Sequence, residues 1–98
     1  HNAKFDMGML NRGMIKSGLR PYDPERFICT AKMGRSLFSG EDNSQNGLCR
    51  RFGVDNFNRE ATGIHSALED TVQLYHCFRA MIPLLEKKNL CWSMFRLS

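Results

Sequence analysis

From Ile64 onward, apolar residues recur at Ile64, Leu68, Val72, Tyr75, Phe78 or Arg79, Ile82 and Leu85, a spacing near 3.6 held for about six turns. No other stretch constrains the fold as strongly, because an amphipathic helix of that length must lay its apolar stripe on something. Pro83 removes a backbone donor and clashes with the preceding turn, so a kink or an end near Met81 is expected. Where loop becomes helix, Gly63-Ile64-His65-Ser66-Ala67-Leu68-Glu69-Asp70-Thr71 sets an imidazole and a carboxylate five residues apart.

The remaining elements are shorter. Phe5, Met9 or Leu10, and Met14 or Ile15 predict a helix over 5–16, with Asn2 as its cap, Asp6 in its first turn and Gly18 as its stop. Arg20-Pro21-Tyr22-Asp23-Pro24 is a connector. Arg26-Phe27-Ile28-Cys29-Thr30 is the one β-prone run, and a lone strand needs neighbours for its backbone groups. Thr30 should cap a helix from Ala31 to about Phe38, with Met33 and Leu37 inward. Residues 39–47 read as a loop running into a short helix that carries Leu48, Cys49 and Phe52 and ends at Gly53. Residues 54–63 read as a second long connector, and the tail from 86 to 98 lacks clean periodicity.

A chain of 98 residues holds one small domain with a marginal core. Its 42% apolar and 24% charged residues are ordinary for a globular protein. No apolar run reaches the roughly 18 residues of a membrane span, and no signal-peptide pattern is present, so a cytoplasmic location without membrane contact is expected. Cys29, Cys49, Cys77 and Cys91 form no Cys-x-x-Cys pair, which predicts free thiols. The net charge of +4 permits a polyanionic partner without demanding one. Lys32 with Arg35, Arg50-Arg51 and Lys87-Lys88 each read first as a solvated face.

Asp6, Asp70 and His65 are the residue types that phosphodiester hydrolysis requires. Two divalent cations held about 3.5–4 Å apart by carboxylates can activate water and stabilise the leaving oxygen. Hard oxygen ligands suit Mg²⁺ or Mn²⁺, and a neutral His with a pKa of about 6.5 can take the water's proton. Taken singly, each residue also fits a duller role at a helix start.

The combination is more specific. His1-Asn2-Ala3-Lys4-Phe5-Asp6, then Asn43-Ser44 followed by Leu48-Cys49-Arg50-Arg51-Phe52-Gly53-Val54-Asp55-Asn56, then His65-Ser66-Ala67-Leu68-Glu69-Asp70 resemble in order and spacing the DnaQ-like (DEDDh) 3′–5′ exonucleases. The resemblance covers nearly all of residues 1 to 82 and is strongest to the branch formed by the proofreading epsilon subunits of bacterial DNA polymerase III. It implies an α/β, ribonuclease-H-like fold, of which residues 1–85 would be the mainly helical C-terminal half with one strand. It implies Asp6 and Asp70 as metal ligands for Mg²⁺ or Mn²⁺, His65 as general base, and Asn2, Phe5 and His65 as contacts to a single-stranded DNA 3′ end.

The family's first motif, Asp-x-Glu on the first strand, is absent from this sequence, so the 98 residues carry half a metal site and are expected to be inactive alone. Cys29 stands where relatives often have Asp, and Gln45-Asn46-Gly47 replaces a more helix-favouring stretch, with Gly47 costing about 1 kcal/mol relative to Ala inside a helix. An RNA 3′-trimming nuclease similar to ribonuclease T is the alternative within the class, and a catalytically incomplete binding module of a replication complex the alternative outside it. Residues 86–98, with Leu90, Cys91, Trp92, Met94 and Phe95, would either contact a polymerase catalytic subunit or sliding clamp or fold back on the long helix.

Overall fold

The computed structural model describes residues 1–62 and 66–97, the side chains of 58, 60 and 62 excepted. Among the described residues five α-helices follow in order: α1 (Ala3–Lys16), α2 (Thr30–Leu37), α3 (Gln45–Phe52), α4 (Phe57–Thr62) and α5 (Ala67–Lys87). Short 3₁₀ turns occupy Pro24–Arg26 and Trp92–Phe95. The 54–63 connector expected from the sequence therefore contains a helix, α4, entered through an Asp55 side chain that accepts from the Phe57 N–H at 3.1 Å.

The core lies where α5 crosses α2 and α3. Met33, Leu48, Cys49, Cys77, Met81 and Leu85 are fully buried there, with Leu37, Phe38, Phe52 and Phe78 packed around them. The Cys49 and Cys77 sulfurs sit 3.8 Å apart, and burial pushes the Cys77 thiol up to about 12, so the pair behaves as two small apolar side chains. All four cysteines are free, three of them buried.

Helix α5 corrects the sequence reading in two ways. Its buried face is Gln73, Cys77, Met81 and Leu85, whereas Leu68, Val72 and Tyr75 are exposed. The apolar residues at 68, 72 and 75 have the right period, but α2 and α3 pack on the neighbouring stripe. The helix also continues through Pro83 to Lys87. Pro83 is on the exposed side, where water can serve the carbonyl it leaves without a donor.

The β-prone run is also corrected. Among the described residues it forms no strand, only a single antiparallel bridge between Ile28 and Arg96. Flanking bonds run from Cys29 N–H to the Phe95 carbonyl (3.0 Å) and from Leu97 N–H to the Phe27 carbonyl (2.9 Å). Only residues 27 to 29 are extended, since Arg26 closes a 3₁₀ turn and Thr30 opens α2, and their neighbour is the tail. Phe95 packs on the main core, and Leu97 is buried with Ala3, Cys29 and Ala31 in a second cluster. Among the described residues no helix is long and apolar enough to cross a membrane.

Candidate nuclease site

The side chains singled out from the sequence reach the site from two helix starts. Asn2 occupies the N-cap position of α1, although its side chain makes no capping bond, and Asp6 follows in the first turn. Helix α5 starts through Ser66, whose hydroxyl accepts from the Glu69 N–H at 3.4 Å, and this fixes Asp70 in its first turn. His65 lies outside the described residues.

Asn2, Phe5, Asp6 and Asp70 line one cavity of about 950 Å³, together with His1, Met9, Ser44, Gln45, Asn46, Arg59, Ala67, Thr71 and Leu74. Two carboxylates separated by 64 positions in sequence thus face the same space. Asp6 is 58% exposed, with the His1 backbone nitrogen 3.2 Å from its Oδ2. Asp70 is more enclosed, at 27% exposure, and its Oδ1 lies 3.3 Å from Nε of Arg59.

Helix α3 supplies the floor of this cavity. The Gln45 side chain donates to the Asp70 carbonyl at 3.1 Å and to Gln73 Oε1 at 3.3 Å, and both glutamines are buried. Asn46 Oδ1 accepts from Arg59 Nη1 at 3.0 Å and from Asn56 Nδ2 at 3.4 Å. A Cβ on Gly47 would collide with the Asp42 carbonyl oxygen and lie 2.7 Å from Asp42 Cγ, so only glycine lets that loop approach. The polar, glycine-bearing run that looked unfavourable for a helix is the surface on which α3 meets α5 and the preceding loop.

His1 ties α1 to this floor. Its Nε2 is 2.6 Å from the Asn43 carbonyl, which can only accept, so Nε2 carries the proton while Nδ1 faces the Thr30 hydroxyl at 3.0 Å. Asp42 accepts from the Ser44 N–H at 3.0 Å and pairs with Arg50 at 2.8 Å, and the Ser44 hydrogen bonds hold its carboxyl below the usual range. At Cys29, burial pushes the thiol up, but the N–H groups of Ala3, Lys32 and Ala31 and the charge of Arg35 outweigh it and bring the pKa below its ordinary value. Two members of the basic clusters are engaged within the chain: Arg51 lies 3.3 Å from Glu41 and over the Phe38 ring, and Lys88 reaches the Ser36 carbonyl.

As donors, Asp6 and Asp70 offer the hard oxygens that divalent cations of the Mg²⁺ class prefer. The chemistry of the donors fits such an ion, while among the described residues no group of three His, Cys, Asp or Glu side chains could hold one. The two carboxylates named from the sequence line one cavity, and the sequence reading missed Gln45, Asn46, Arg59 and His1 beside them. No local pattern marks them, since their roles depend on contacts 25 to 42 positions away for Gln45 and His1.

Comparison with known proteins identifies the family. The model of a family described as "Exonuclease" matches residues 1–78. DNA polymerase III subunit epsilon of Rickettsia typhi is 34% identical over 84 residues, covering 83% of this chain and 35% of that protein. The subunit of Buchnera aphidicola subsp. Baizongia pistaciae is 37% identical over 84 residues, 83% of this chain and 33% of its own, and that of Pasteurella multocida 34% over 85 residues, 83% and 32%. This chain therefore spans about a third of the length of these relatives. No solved structure matches. A family match over four-fifths of the sequence, with relatives 34% and 37% identical over 83% of it, makes this chain a member of the DnaQ-like exonucleases.

Proposed function

We propose that these residues are the C-terminal part of a ribonuclease-H-like, metal-dependent 3′–5′ exonuclease domain that removes nucleotides from DNA 3′ ends in polymerase proofreading. The observation that carries this reading is the convergence of Asn2, Phe5, Asp6 and Asp70 on one cavity. Asp6 and Asp70 would hold Mg²⁺ or Mn²⁺ jointly with carboxylates outside this sequence, and the cations would supply the positive charge that the transition state at phosphorus requires. Phe5, 61% exposed, offers an aromatic face to the terminal base, and Asn2 an amide beside it. His65 takes the proton of the attacking water. The names of the relatives favour DNA over RNA as substrate.

The test is nucleotide release from matched single-stranded DNA and RNA 3′ ends by the complete exonuclease polypeptide. Asp6→Asn and Asp70→Asn should each nearly abolish release without unfolding the protein, and His65→Ala should slow it by ~10²–10⁴-fold. The 98 residues alone should show no turnover. Near-wild-type cleavage by Asp70→Asn, or a marked preference for RNA, would overturn the assignment.

The tail completes the proposal. Its fold-back leaves Trp92 and Met94 exposed, and this surface is assigned to a polymerase catalytic subunit or a sliding clamp in the cytoplasm. Replacing both residues by Ser spares the contacts of the half-buried Phe95 and the buried Leu97 and should weaken binding to one of those partners. Unchanged affinity for both would remove the assignment.

A further inference from the structure

We propose that Arg59 competes with a divalent cation for Asp70, holding the carboxylate in the metal-free site and lowering the site's affinity until a metal displaces it. The inference rests on the reading of Asp70 as a metal ligand and adds a residue that this reading does not contain.

Asp70 Oδ1 has almost no solvent contact, so water does not reach that oxygen although the side chain as a whole is 27% exposed. Arg59 stands 3.3 Å away on the same cavity, with a side chain only 16% exposed. The guanidinium is held from its other end as well: Nη1 donates to Asn46 Oδ1, which also receives the buried Asn56 side chain. A planar fork clamped at both ends is a fixed positive charge, unlike a mobile surface arginine. It comes from α4, and so bridges α4, α3 and the first turn of α5. A dication on the same carboxylate meets that charge at close range, and the two repel unless the guanidinium withdraws. Arg59 is thus a positioning residue whose charge, more than its packing, sets how tightly the site takes metal.

Mn²⁺ titration of this chain, read from the electron paramagnetic resonance of the free ion, tests the proposal. Arg59→Gln should tighten Mn²⁺ binding about ten-fold by removing the charge. Arg59→Lys, which keeps a charge but not the clamped fork, should tighten binding less than Arg59→Gln. In the Asp70→Asn background, Arg59→Gln should change nothing. If Asp70→Asn weakens binding but Arg59→Gln leaves it unchanged or weaker, Arg59 is no competitor and the proposal fails alone. If Asp70→Asn has no effect, Asp70 is not a ligand and the underlying reading fails with it. A second measurement needs no variant: during Mg²⁺ titration of the wild-type chain, the Arg59 Nε–Hε resonance should move with the same midpoint as the Asp70 amide. An Arg59 resonance that stays fixed while the Asp70 amide moves would overturn the competition.

Discussion

Asp70 is surrounded by residues that a reading of its own helix could not supply. Gln45 holds its carbonyl, and Arg59 faces its carboxylate. The acid itself was legible because its type and its distance from His65 are local properties of the sequence. The support was not, because it comes from α3 and α4 through contacts fixed only when the chain folds. Gly47 makes the same point with opposite sign. Helix propensity alone says that Gly47→Ala should stabilise α3 by about 1 kcal/mol. The added Cβ would instead strike the Asp42 backbone, and a clash of that kind costs typically 1–3 kcal/mol. Urea denaturation of Gly47→Ala should therefore show a net loss of stability, and a gain would mean that the Asp42 loop yields freely.

At the scale of elements, the glycine terminators were read accurately because they depend on single residues, whereas the stop expected at Pro83 did not occur. Gly53 ends α3 with φ at 66°, and Gly18 follows α1 with φ at 74°, conformations that favour glycine. Faces were harder. On α5 the polar Gln73 belongs to the buried stripe because Gln45 satisfies its side chain, a pairing invisible to a hydrophobic period. The two faces can be separated experimentally. Met81→Ala, at a fully buried site, should cost about 2–5 kcal/mol of unfolding free energy, while Leu68→Ser at an exposed site should fall within roughly ±0.5 kcal/mol. Equal losses from the two substitutions would restore the stripe read from the sequence.

As a whole, the molecule is a slab of 40 × 37 × 20 Å with a radius of gyration of 14.4 Å, above the ~13 Å usual for a chain of about 100 residues. Helix α1 buries only Ala3 and leaves Phe5, Met9, Leu10 and Ile15 exposed. Its apolar positions were legible in the sequence, but an apolar face states only that a cover is needed, and the described residues provide none over most of its length. The cavity survives this openness because His1 fixes the start of α1 against Thr30 and Asn43, while Gln45 and Arg59 fix the start of α5. Both acids are thus placed by hydrogen bonds at helix starts, independently of how α1 is covered.

That placement is the central claim, and paramagnetic broadening tests it most directly. Substoichiometric Mn²⁺ added to the ¹⁵N-labelled chain should broaden the amides of Asn2, Asp6, Gln45 and Asp70 together, and Asp70→Asn should remove the broadening from all four. Broadening centred on Glu41 and Asp42, or at Asp6 without Asp70, would show that the two carboxylates do not share a site.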